Sequence, residues 1–126
     1  MTVAVVSTGG TIASTEDSGG DATPSLDGAD LVAAVPGLDD VDVRTEDFSA
    51  MPSPHFTVDR MLDLAVRLDA IDDDPAVEGV VVTQGTDVLE ETAYFLDLCY
   101  GGETPVVVTG AMRNPSLASP DGPANL

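Results

Sequence analysis

Three apolar runs punctuate the chain, and each ends in a polar turn. Val3-Ala4-Val5-Val6 leads into Ser7-Thr8-Gly9-Gly10-Thr11, Val80-Val81-Val82 into Thr83-Gln84-Gly85-Thr86-Asp87, and Val106-Val107-Val108 into Thr109-Gly110-Ala111-Met112-Arg113. Continuous runs of β-forming residues without alternation predict strands buried on both faces. Between them the period changes. Val58, Met61, Leu62, Ala65 and Leu68 follow the spacing of an amphipathic helix, with Thr57 as N-cap and Asp59, Asp63 and Arg67 on the outer face. Asp63 and Arg67 then form an i, i+4 pair worth about 0.2–0.5 kcal/mol. A second helix is predicted from Val88 to Tyr100, with Leu89, Ala93, Leu96 and Cys99 or Tyr100 inward and Glu90, Glu91 and Asp97 outward. Asp27 caps a shorter one, which ends before Pro36-Gly37, and Val41 to Thr45 alternates as a short strand does. Ser14 to Thr23 has no apolar period and reads as a mobile surface loop; Met51 to Phe56 reads as a proline-punctuated loop. Strand, glycine turn and helix in repetition predict an α/β fold: a doubly wound, Rossmann-like parallel sheet.

Composition adds one unusual feature to this picture. Of 126 residues, 43% are hydrophobic, enough to build a core, yet 23 Asp and Glu face 4 Arg and no Lys, for a net charge of −19. That field repels phosphate backbones and anionic lipid surfaces, so neither nucleic acid nor membrane is an expected partner. The acids are spread from Glu16 to Asp121 among small apolar residues, in the manner of a halophile's surface. The single Cys99 cannot make an internal disulfide, and its neighbours place it in the core. No leader-like segment opens the sequence and no apolar run reaches membrane-spanning length, so a cytoplasmic protein is expected.

Ligands of such sheets bind beyond the carboxyl ends of the strands. There the sequence puts Thr11, Thr86, Asp87 and several backbone N–H groups on one rim. Thr11 carries an oxygen nucleophile, and Gly9 and Gly10 let another group approach the backbone closely. The plainer reading is that the glycines only reverse the chain, and that Thr86 and Asp87 only cap the next helix. Acyl transfer also needs a proton acceptor, and none is evident on this rim. His55, between proline and phenylalanine, reads as a loop or packing residue. No dinucleotide fingerprint, phosphate loop or metal-ligand cluster occurs, so no cofactor or metal is expected.

Thr8-Gly9-Gly10-Thr11-Ile12-Ala13, Gly85-Thr86-Asp87 with Glu90 to Leu98, Gly110-Ala111-Met112-Arg113 and Asp121-Gly122-Pro123-Ala124-Asn125-Leu126 together resemble the bacterial-type L-asparaginase family, as does Leu31 to Pro36. The resemblance covers the whole chain. It implies that residues 1–126 are part of that family's N-terminal α/β domain, and that L-asparagine is hydrolysed to L-aspartate and ammonia without a cofactor. Thr11 is then the nucleophile, and Thr86 a second threonine assisting proton transfer. Asp87 would hold the substrate's α-ammonium, Ser53 would bind its α-carboxylate, and Gly85 and Ala111 would offer backbone contacts. Full-length members of the family are homo-oligomers.

Three departures qualify these expectations. The family pairs its second threonine with a lysine, and this sequence has none; its mobile loop often carries a tyrosine, which Ser14 to Thr23 lacks; and Gln84 stands where histidine is frequent. The lysine and a smaller second domain would lie downstream of Leu126, so a truncated chain with little or no activity alone is expected. Two rivals share these motifs: the asparaginase-like subunit of a glutamyl-tRNA(Gln) amidotransferase, and a remnant that keeps the fold for binding or structure without the chemistry.

Overall fold

All three apolar runs form strands, and they lie side by side. The computed structural model describes residues 1–16, 18–38 and 40–126. β1 (Thr2–Gly9), β4 (Asp42–Met51), β5 (Val77–Thr83) and β6 (Val106–Thr109) form a four-stranded sheet in the order β4-β1-β5-β6. Every pairing in it is parallel, with Val5 opposite both Thr45 and Val81, and Val81 opposite Val107. Parallel neighbours need crossovers, and helices supply them. α2 (Val58–Asp72) links β4 to β5, and α3 (Leu89–Cys99) links β5 to β6.

Alternation along the strands sends side chains to two layers. Ala4, Val6, Val80 and Val82 pack with Phe56, Met61, Leu64, Leu68 and Leu96 on the face covered by α2 and α3. A smaller cluster of Ile12, Ala13, Leu31 and Ala111 forms against α1 (Gly28–Ala33). Helices on both faces of a parallel sheet give the α/β architecture expected from the sequence. α1 starts as predicted: Asp27 accepts a hydrogen bond from Asp30 N (2.8 Å), and the Asp30 carboxylate accepts one from Asp27 N.

Four expectations need correction. The first concerns α2, whose inward face is Met61, Leu64, Ala65, Leu68 and Ile71; Val58 and Leu62 are 64% and 50% exposed. The helix offers a wide apolar arc, and tertiary contact chooses within it. Arg67 makes a bidentate pair with Glu46 on β4 (both contacts 2.6 Å), so the expected Asp63–Arg67 pair is replaced, and Asp63 pairs with Arg60 instead. Secondly, the strand read as Val41 to Thr45 runs on to Met51, because β1 offers it a full-length parallel partner. Thirdly, much of the supposed loop from Ser14 to Thr23 is paired: β2 (Ser14–Glu16) and β3 (Ala22–Pro24) form an antiparallel hairpin, with Asp17 outside the described residues. Lastly, Cys99 is exposed at the end of α3, while Thr92 and Leu96 supply that helix's buried positions.

Among the described residues, no helix is long and apolar enough to cross a membrane.

Candidate active site

The strand order creates the site. After β1 the chain turns towards β4 on one side, and after β5 it turns towards β6 on the other, so the loops diverge between two neighbouring strands. Such a switch point opens a crevice at the carboxyl end of a parallel sheet. The loop after β1 carries Thr11, and the loop after β5 carries Thr86 and Asp87.

These loops touch through their glycines. Gly9 and Gly10 have φ of 94° and 81°, a region that side chains disfavour. A Cβ on Gly10 would overlap the Cα and N of Gly85, and one on Gly9 would lie 2.8 Å from Met51 O. Backbone therefore meets backbone one residue before Thr11 and one residue before Thr86. Thr11 opens a one-turn 3-10 helix, Thr11–Ala13, and is half-buried. Gly10 O is held from below by Ala13 N (3.1 Å) and by the buried Ser14 hydroxyl (2.7 Å). The peptide preceding Thr11 is thus fixed on its carbonyl side.

Ser53 comes from a third direction. β4 ends at Met51, and a 3-10 turn over Ser53–His55 folds Ser53 inward, where it is only 4% exposed. Its side chain lies against Gly85, leaving no room for a Cβ there. Its hydroxyl donates to Asp87 Oδ2 at 2.6 Å, the short length expected when the acceptor is charged. Asp87 does not cap α3, whose N-cap is Val88 without a side-chain bond, and Thr86 does not either. The capping alternative for these two residues is excluded.

The fourth wall is the loop after β6. Gly110 abuts Gln84 O and Thr86, where a Cβ would stand 3.6 Å from Thr86 Cγ2. Ala111 is 2% exposed and packs in the cluster of Ile12, the residue after Thr11. All six candidate positions, Thr11, Ser53, Gly85, Thr86, Asp87 and Ala111, therefore lie on the loops that border this crevice. His55 is exposed on its turn, in keeping with a loop residue.

Comparison with known proteins gives this constellation its family. The family model described as Asparaginase, N-terminal matches residues 2–126. The chain belongs to the asparaginase family. It is 41% identical over 125 residues to an L-asparaginase of Bacillus licheniformis, covering 98% of this chain and 39% of that protein. To L-asparaginase 2 of Escherichia coli it is 39% identical, covering 98% of this chain and 36% of the relative. A glutaminase-asparaginase of Pseudomonas aeruginosa is 40% identical, with 98% and 36% covered. Among solved structures, a probable cytoplasmic L-asparaginase from Campylobacter jejuni superposes with a TM-score of 0.85 at 36% identity, over 98% of this chain and 36% of that one. The chain thus spans well under half the length of these asparaginase relatives.

In this asparaginase-family chain, one buried contact was not anticipated. Thr8 Oγ1 lies 2.8 Å from Thr83 O and 2.6 Å from the Gln84 side-chain amide, joining the ends of β1 and β5 directly beneath the two threonine loops. The Thr8 hydroxyl has one proton, which these two acceptors, Thr83 O and Gln84 Oε1, share, while Gln84 Nε2 is buried without a hydrogen-bond partner among the described residues. Neither Thr8 nor Gln84 is more than 1% exposed. Sequence alone could have flagged the pair only as two polar residues closing apolar strands. Among the described residues, no carboxylate, imidazole or amine is hydrogen-bonded to the hydroxyl of Thr11 or Thr86, and no cluster of metal-ligating side chains occurs. Beneath α1 lies an apolar hollow of about 200 Å³ lined by Ile12, Leu26 and Leu31; none of the six candidate residues lines it.

Proposed function

We propose that the crevice is the N-terminal part of an L-asparaginase site. What carries this reading is the Gly10–Gly85 backbone contact, which brings the Thr11 and Thr86 loops together beside an Asp87 already held by Ser53. Thr11 Oγ1 attacks the side-chain amide carbon of L-asparagine. An acyl bond forms, ammonia leaves with a proton delivered to its nitrogen, and water then hydrolyses the acyl-enzyme to L-aspartate. Thr86 relays protons between these groups. Asp87 takes the α-ammonium as a charged acceptor and orients Thr86, while Ser53 turns its hydroxyl to the α-carboxylate. Gly85 and Ala111 contact the substrate through their backbones. Amides at a tight glycine turn suit an oxyanion that forms only in the transition state. No cofactor enters this chemistry.

The relay lacks its base in residues 1–126, which contain no lysine. On this reading the 126-residue chain binds the amino acid but turns it over little or not at all, and residues 1–126 are part of an N-terminal α/β domain. The same reading makes the full protein a cytoplasmic homo-oligomer with no nucleic acid or membrane partner. Its acidic surface suits a saline milieu.

Titration calorimetry with L-aspartate tests the site. Asp87→Ala removes the counter-charge and raises Kd at least about tenfold, the cost of one charged hydrogen bond, and Ser53→Ala weakens binding less. Thr11→Ala leaves affinity within a few-fold, because attack rather than binding depends on it. Binding indifferent to Asp87 and Ser53 would refute the assignment. Ammonia release from L-asparagine that disappears in Thr11→Ala would refute the inactivity.

A further inference from the structure

The loop after β6 touches both threonine loops, yet it is only an irregular strip of backbone. Something must hold its shape. Asp121 lies eight and nine residues further on, and its carboxylate accepts from Arg113 N at 2.8 Å through Oδ1 and from Met112 N at 3.0 Å through Oδ2. Asn125 works on the same loop from one helical turn away. Its side-chain nitrogen donates to Gly110 O at 2.9 Å and to Asp121 Oδ2 at 3.3 Å, while its own carbonyl accepts from the Thr109 hydroxyl at 3.3 Å. The Thr109 hydroxyl and peptide groups of Gly110, Met112 and Arg113 are therefore tied to one short segment.

That segment is itself seated against the nucleophile's support. Gly122 packs so close to Ile12 that a Cβ there would lie 3.0 Å from Ile12 Cγ1. Ile12, only 1% exposed, follows Thr11 directly. Gly110 abuts Thr86 from the other end of the loop. The carboxylate consequently sits behind a bridge running from Thr86 to Ile12. The Met112 amide, then that of Arg113, holds the Asp121 carboxyl below its ordinary value, as expected for a group whose ionised form is the acceptor.

We propose that Asp121 is a positioning residue. With Asn125, it locks the Gly110–Arg113 loop against Thr86 and Ile12, and so sets the wall of the amino-acid site to which Ala111 belongs. The part of this concerning affinity rests on the asparaginase reading above; the part concerning loop geometry does not. Neither residue touches the crevice's reacting groups, so the effect passes through the loop.

The test reads geometry and affinity separately, on Asp121→Asn and Asp121→Ala in the 126-residue chain. Asp74→Asn serves as control, since Asp74 accepts from Ala76 N (3.0 Å) and Arg44 (2.7 Å) in the turn before β5, at the opposite end of the sheet. Amide exchange at Met112 and Arg113 accelerates about tenfold or more in both Asp121 variants, more in the alanine, while Val80 to Val82 keep their protection. Methyl signals of Ile12, Thr86 and Ala111 shift, those of Leu64 and Val80 do not, and Asp74→Asn leaves all five unmoved. Kd for L-aspartate rises about tenfold. Unchanged exchange at Met112 and Arg113 would overturn the proposal. So would released amides with unmoved Thr86 and Ile12 methyls, or an unchanged Kd. A parent chain that does not bind L-aspartate would count against the asparaginase reading alone, and the exchange and methyl measurements would still decide the role of Asp121.

Discussion

Gly10 and Gly20 separate two reasons for a glycine. Both have positive φ, 81° and 86°, but Gly10 lies against Gly85 whereas a Cβ on Gly20 would find no atom of the described residues within 4 Å. Gly20→Ala should therefore cost only the backbone strain, about 1 kcal/mol, and Gly10→Ala about 3 kcal/mol or more, read from urea midpoints. Equal costs would mean that the contact between the threonine loops is loose. Thr8→Val should cost about 1–3 kcal/mol by leaving Gln84 without its buried partner. At this scale Thr11, Thr86 and Asp87 were legible because strand, glycine and hydroxyl recur in order along the chain. Thr8, Gln84 and Asp121 were not, because each acts on a residue far away in sequence. Acid sensitivity follows from Asp121 as well. Its pKa is depressed in the fold, so its contribution is complete above the unfolded value of about 3.9 and fades as pH falls through the lower folded one. The stability gap between parent and Asp121→Asn should close in that window, and a gap independent of pH there would contradict the clamp.

Among the elements, β1 and β5 were readable from apolar runs alone, since a central parallel strand has no wet face to break the pattern, whereas β6, read from the same kind of run, ends the sheet and leaves Val107 58% exposed. α2 shows the limit of periodicity. Its apolar residues span so wide an arc that Val58 and Leu62 fit the helical stripe as well as Leu64 and Ile71 do, and packing on the sheet together with the Arg67–Glu46 pair decides between them. Leu64→Ala should cost about 2–5 kcal/mol, as a fully buried leucine does, and Leu62→Ala under about 0.5 kcal/mol. The reverse order would restore the face read from the sequence. The β2–β3 hairpin was hidden for a different reason: its strands have three residues each, too few to show a period. It is also docked from outside, with Glu16 N donating to Ser116 Oγ (3.0 Å) and Asn114 Nδ2 donating to Glu16 Oε1 (3.1 Å).

For the molecule as a whole, charge is the dominant fact. Among the described residues, Arg44 pairs with Asp74, Arg60 with Asp63 and Arg67 with Glu46, and the Arg113 guanidinium donates to the Ala118 carbonyl. The net charge of −19 is left to repel itself. At about 1 M salt the screening length is about 3 Å, shorter than most separations on the surface. Tm should rise by several degrees between about 0.1 and about 2 M KCl; a flat or falling Tm would remove the saline interpretation. The doubly wound sheet was legible from the repeated strand-turn-helix grammar, but the position of its switch point was not, because strand order is a property of pairing across the chain. That order places the Thr11 and Thr86 loops side by side and makes the crevice the centre of the account. Its most direct test is chemical-shift mapping of the 126-residue chain with L-aspartate. Saturable shifts concentrated at Thr11, Ser53, Gly85, Thr86, Asp87 and Ala111 are predicted; shifts scattered over the surface, or confined to the apolar hollow beneath α1, would contradict it.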